Sequence, residues 1–181
     1  MSVVLLLLVG CPGSTDKLGD TAPVGCLDVD ATVLAGSSAF DELDRPIWVE
    51  MPAGSEQVMV HGPQGGWHIL GAADVRHAGD IVTLQYAITW PASDVRLSYG
   101  NFKVMLVPHD DGCGGTYAGM LGVLDVSDVK SGDADTPPEL LAGETLTVSM
   151  DAEDLAGRTA HHEVSVIAAL DPADMDTADA Q

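Results

Sequence analysis

Basic residues are the first shortage in this chain. Its 181 residues hold 7 Lys and Arg against 28 Asp and Glu, a formal net charge of −21. A surface that acidic repels phosphate backbones and anionic head groups, which argues against nucleic acid as a partner. Aromatic residues are the second shortage, at 4%, so a core has to be built from Val, Leu, Ile, Ala and Met. Long apolar runs are absent too. The run Val3 to Val9 would reach only about 10 Å as a helix, against the roughly 20 residues a membrane span requires. Hydrophobic residues nonetheless make up 46%, which suits a folded domain and argues against wholesale disorder. The length fits one domain with short extensions.

Motifs of catalysis are also missing. The chain has no G-x-S-x-G elbow, H-E-x-x-H helix, phosphate-binding Walker loop or G-x-G-x-x-G turn. Ser37 and Ser38 in AGSSAF have no neighbouring histidine that would mark a nucleophile, and read as a turn. CGGTYAGM carries Cys113 and Met120 without a histidine between them, which does not suit a cupredoxin-type copper site. No C-x-x-C spacing occurs, which argues against a redox motif or zinc ribbon.

What is present is a period of two. In DIVTLQYAITW, Val82, Leu84, Tyr86, Ile88 and Trp90 fall on one face and Thr83, Gln85 and Thr89 on the other. PIWVEMP places Ile47, Val49 and Met51 together. NFKVMLVP does the same for Phe102, Val104 and Leu106, ETLTVSM for Leu146, Val148 and Met150, and HHEVSVIAAL for Val164, Val166 and Ala168. Turn signals separate these runs: GPQGG, HAGD, PASD, HDDGCGG, SGDADTPP and DLAG. Many short half-buried strands imply an all-β fold, specifically a single antiparallel β-sandwich over residues 26–171.

Two resemblances add to this reading. LVGC, at Leu8, Val9, Gly10 and Cys11, follows a short apolar run and resembles the lipobox of bacterial lipoproteins. One feature departs from that family: Met1 and Ser2, ahead of the run, include no basic residue. The resemblance implies a cleaved signal over residues 1–10 and a lipid on Cys11. It also implies export, with the protein anchored to the bacterial membrane facing the periplasm or cell surface. The stretch PGSTDKLGDTAPVG then reads as a flexible tether within residues 11–25, spanning roughly 20 Å. With Cys11 lipidated, Cys26 and Cys113 remain as a pair for an oxidising compartment, the alternative being two buried free thiols. The last third, AGETLTVSMDAEDLAGRTAHHEVSVIAAL, resembles the final hairpin of bacterial immunoglobulin-like or fibronectin-like domains, with Asp154, Gly157 and Arg158 at its turn. Residues 172–181 read as an acidic disordered tail.

Candidate ligands are few. His61, Gln64 and His68 in HGPQGGWHIL flank a turn between two strands and form the candidate polar site. On the second of those strands Trp67 shares a face with Ile69, Ala73 and Val75, and His68 takes the other. Calcium is the cation that loop carboxylates would suit, the candidates being Asp28, Asp30, Asp110, Asp111, Asp133 and Asp135; near the end Asp171, Asp174, Asp176 and Asp179 lack the Gly and terminal Glu of an EF-hand loop. The sequence sets out no dedicated metal site and no catalytic residue. It points to a non-catalytic, lipid-anchored envelope module with a protein or glycan partner. The alternatives are a calcium-stabilised adhesin-like domain, or a metal-dependent secreted hydrolase using His61, His68 and loop aspartates.

Overall fold

Alternation becomes strand along most of the chain. A computed structural model describes residues 25–62, 65–129, 134 and 136–172. Its strands are β1 (Thr32–Phe40), β2 (Pro46–Glu50), β3 (Glu56–His61), β4 (Trp67–Arg76), β5 (Ile81–Trp90), β6 (Val95–Met105), β7 (Val107–Pro108), β8 (Gly114–Val123), β9 (Thr145–Asp154) and β10 (Thr159–Leu170). A single 3-10 turn, Cys26–Asp28, precedes β1, and a short α-helix, α1 (Pro137–Leu141), precedes β9. On β5 the residues Val82, Leu84, Tyr86 and Ile88 are buried while their neighbours stay half-buried. Leu146, Val148 and Met150 on β9 and Val164, Val166 and Ala168 on β10 are likewise buried, between neighbours that are half-buried or exposed. Each fully buried Leu, Val or Met contributes about 1.5–3 kcal/mol relative to exposure, which is why the period of two is so plain in these strands.

The fold is all-β, but the sheet is mixed rather than purely antiparallel. Its bonded order is β2-β1-β4-β3-β10-β9-β5-β6, with β8 on the other edge of β4. The exception to antiparallel pairing is β3, whose Glu56–Met59 stretch runs parallel to Ile167–Leu170 of β10. β3 meets β4 through just two pairs, Val60 with His68 and His61 with Trp67. It can therefore leave β4 early and serve both strands.

The sheet curls so that β4 and β8 face β5, and two glycines make room for the closure. A Cβ at Gly71 would stand 2.6 Å from Cζ of the buried Tyr86, and one at Gly122 would stand 2.7 Å from Cε1 of the same ring. Curling also brings the two ends of the sheet together along a seam. β7 continues the line of β6 and pairs with β8 at Thr116 and Gly115. At the far end the N–H of Asp125 donates to the carbonyl of Leu97 at 2.8 Å. Cys26 and Cys113 are joined by a disulfide with Cα atoms 5.4 Å apart, closing 87 residues of chain. In the chain-entropy account such a loop is worth at most about 4.5 kcal/mol.

Three local expectations are corrected. Ser37 and Ser38 lie in β1, not in a turn. The Ser38 hydroxyl donates to the carbonyl of Gly71 at 2.7 Å and accepts from the N–H of Gly119 at 2.8 Å. Gly119, with φ +89°, is the extra residue of a bulge in β8, where the register to β4 shifts; the serine satisfies backbone that the bulge frees. On β2 the faces are reversed. Ile47 and Val49 are exposed and Trp48 turns inward, its indole lying over Gly36. Met51, just beyond the strand, is buried. Finally, the Pro-Pro end of SGDADTPP opens α1: Thr136 and Glu139 form a capping box, and Pro137 needs no helical hydrogen-bond donor.

Candidate functional site

The divided pairing of β3 creates a cleft. β1 covers β4 from Gly71 to Arg76 and β3 covers Trp67 and His68, so Leu70 lies between the two strands without a partner on that edge. A cleft of about 420 Å³ opens there. Val58 and Val60 of β3, Val49 of β2 and Leu70 give it apolar walls; Glu50, Glu56, Ser37 and Ser55 bring polar groups. Gln57, one of the few buried polar residues, donates from Nε2 to the Ser55 hydroxyl at 3.0 Å and also borders the cleft. Neither Glu50 nor Glu56 forms an ion pair among the described residues. Hydroxyls and carboxylates above an apolar floor suit a small polar ligand with an apolar side, the usual character of a binding cleft.

The histidines flanking the GPQGG turn do not line this cleft, and the register sets them on opposite faces. His61 shares a face with Trp67, their rings tilted at 57° with centroids 5.1 Å apart. Its neighbour Val60 projects the other way, toward the cleft, and carries His68 with it as its cross-strand partner. Gln64 lies outside the described residues. The turn itself closes through the N–H of Gly62 onto the carbonyl of Gly66 at 3.0 Å, with Gly65 and Gly66 both at positive φ.

The remaining four histidines are each engaged. His162 accepts from the N–H of Ala35 at 3.1 Å, capping the stretch of β1 that β2 does not reach. His161 lies 2.7 Å from the Asp151 carboxylate on the exposed face of β9 and β10. His77 Nδ1 is 3.1 Å from the carbonyl of Cys26. His109 Nε2 is 2.7 Å from Oδ1 of Asp74, a buried carboxylate that also meets Arg76 at 3.4 Å. Sequence reasoning missed this His109–Asp74 pair, because 35 residues separate partners that only the closing of β7 onto β8 brings together.

Of the calcium candidates, Asp133 and Asp135 lie outside the described residues, as do Asp174, Asp176 and Asp179 of the tail. Among the described residues, no three His, Cys, Asp or Glu side chains group closely enough to hold a metal ion. Nor is any helix among them long and apolar enough to cross a membrane. Comparison with protein-family models, curated proteins and solved structures returns no match.

Proposed function

We propose that this chain is a lipid-anchored, non-catalytic β-sandwich module of the bacterial cell envelope, of immunoglobulin-like character, which binds an extracytoplasmic protein or glycan. The observation that carries the reading is the Cys26–Cys113 bridge. Structural disulfides persist in oxidising compartments, and this one leaves Cys11, the cysteine of the lipobox-like segment, as the odd member of three. Cys11 and the signal and tether around it lie outside the described residues. The facing of β4 and β8 against β5, and the β9–β10 hairpin turning through Asp154, Gly157 and Arg158, support the sandwich reading. The cleft beside Leu70 offers a place for a ligand.

Cell fractionation of wild type and Cys11→Ser tests the anchor. Wild type is expected in the membrane fraction and the variant in the soluble exported fraction; a variant that stays membrane-bound removes the anchor from the proposal. A melting curve run with calcium and with a chelator separates this reading from the calcium-stabilised one, and the expected result is no difference.

A further inference from the structure

Glu50 and Pro52 border two clefts, the one beside Leu70 and a second of about 430 Å³. The second cleft follows from the same incomplete pairing. β2 covers β1 only from Gly36 onward, and β3 covers β10 only from Ile167 onward. Leu34 and Ala35 of β1 and Val164 and Ser165 of β10 therefore border an uncovered gap. One hydrogen bond bridges it, from the N–H of Ala35 to Nδ1 of His162 at 3.1 Å.

Charge distinguishes the joined clefts. Three carboxylates border them: Glu56 in the first, Glu163 in the second and Glu50 in both. No Lys or Arg among the described residues borders either one, and His162 carries no proton on the nitrogen that accepts from Ala35. Glu50 and Glu56 have no ion-pair partner among the described residues, and Glu163 has only His161, at 3.6 Å. A second feature also asks for a donor. Gln57 borders the first cleft and is 7% exposed. Its Nε2 donates to Ser55, which leaves the side-chain carbonyl oxygen without a partner among the described residues. Buried acceptors are rarely left so, and an N–H of a bound cation would satisfy this one.

Spacing selects among cations. Ile167, the β10 partner of Glu56, lies four residues beyond Glu163, about 13 Å at the rise of a strand. Among the described residues no three carboxylates converge, so a compact ion meets them one at a time. The walls beside them are apolar: Val58, Val60 and Leu70 in the first cleft, Leu34, Met51 and Val164 in the second.

We propose that the joined clefts bind a linear aliphatic polyamine. Its terminal ammonium groups meet Glu56 and Glu163, an inner amine meets Glu50, and its methylene chain lies along the apolar walls. Each cleft has the size of a small-ligand site. A protein segment carrying Lys offers the same charges but must also fit its backbone into that space. The inference rests on the Leu70 cleft being the ligand site of the binding module. Its test in solution needs no anchor, so failure here leaves the fractionation result standing.

Titration calorimetry on the exported domain, its disulfide intact, uses spermidine as the probe. Spermidine is expected to bind at one site. Ethylenediamine, magnesium and doubly acetylated spermidine should bind about tenfold more weakly or worse. Glu50→Gln, the change that reaches both clefts, should weaken spermidine about tenfold, and Glu163→Gln should weaken it too. Glu153→Gln removes the same charge from an exposed position on β9 and should leave binding unchanged. Glu50 is exposed, so its variant should melt as wild type does. In an NMR titration the amides of Leu70 and Val164 should shift with a single midpoint. Equal losses in Glu50→Gln and Glu153→Gln, or magnesium competing as well as spermidine, would reduce the binding to net charge and overturn the proposal. So would a response at only one of the two amides. A peptide alternating Lys with Val that bound more tightly than spermidine would assign the clefts to a protein segment instead.

Discussion

Arg158 and Asp154 clamp the turn between β9 and β10 from its two ends, the guanidinium Nη2 lying 2.5 Å from the carboxylate Oδ2. The Asp154 side chain has no solvent exposure. Its Oδ1 accepts from the N–H of Ala156 at 2.9 Å and of Arg158 at 3.0 Å, and Oδ2 accepts from the N–H of Gly79 at 3.4 Å. Arg158 reaches on to the carbonyl of His77 at 3.2 Å. One carboxylate thus ties the last hairpin to the β4–β5 connection.

That clamp sets an acid limit on stability. Burial raises the Asp154 carboxyl, but the N–H groups of Arg158 and Gly79 and the Arg158 guanidinium outweigh it and hold the group below its ordinary value of 3.8. A folded pKa lower than the unfolded one stabilises the protein above the unfolded value, and the gain is lost as pH falls through the folded value. Asp154 therefore supports the fold at neutral pH and begins to withdraw that support below about pH 4. Asp154→Ala should cost about 3 kcal/mol at neutral pH, the lower end for breaking a buried pair because Arg158 is partly exposed. Urea melts at several pH values check both points, and the variant should show a flatter acid limb than wild type.

Tyr86 sets the alkaline counterpart. Complete burial pushes its phenol well above the ordinary value of 10.0, so the neutral ring is favoured in the fold and the stabilisation fades as pH rises past the unfolded value. Tyr86→Phe should move the midpoint of alkaline unfolding upward and change neutral stability little, since the hydroxyl reaches the Ile69 carbonyl only at 3.5 Å. An unmoved alkaline midpoint would count against this account.

Gly71→Ala should be more damaging than its size suggests. The added methyl has nowhere to go but the Tyr86 ring, 2.6 Å away, and overpacking of this kind costs about 1–3 kcal/mol. Pairing Gly71→Ala with Tyr86→Leu should recover part of the loss. Thermal melts of the two single variants and the double measure that coupling.

Ser38→Ala tests the bulge. Removing the hydroxyl leaves the carbonyl of Gly71 and the N–H of Gly119 without their partner. The Gly119 end is open to water, which limits the cost to about 1 kcal/mol. Faster amide exchange at Gly119, beyond the effect on global stability, is the specific sign to look for.

The disulfide should show in a thiol titration. Unfolded but unreduced protein should yield no free thiol from Cys26 or Cys113, and the Cys26→Ser, Cys113→Ser double variant should lose about 2–5 kcal/mol. Two reactive thiols at these positions would contradict the bridge.

How legible each strand was depends on what its faces touch. β5, β9 and β10 bury one face and solvate the other, so their alternation is written into composition. β1 and β8 are harder. TVLAGSSAF and GGTYAGMLGV are rich in Gly, Ala and Ser because neighbouring groups approach closely: Trp48 over Gly36, Tyr86 and Ile88 against Gly122. Small residues chosen for close approach look like turn residues in a one-dimensional reading. β2 shows its Ile and Val to solvent because it is an edge strand bonded on one side only, and its large inward group is an aromatic seated on a glycine. The site followed the same logic. The histidines of HGPQGGWHIL were visible as residues, but cross-strand register decides which way they face.

The parallel pairing of β3 with β10 has a consequence for the order of folding. β3 emerges early in the chain and, apart from its two contacts with β4, waits for the last strand before its edge is covered. Contacts between such distant segments are slow to form, so the N-terminal half should spend time with an exposed strand edge that is prone to pairing with the wrong neighbour. The final strand acts as a latch, and a chain stopped before β10 should be open to proteolysis and aggregation even with most of its strands made.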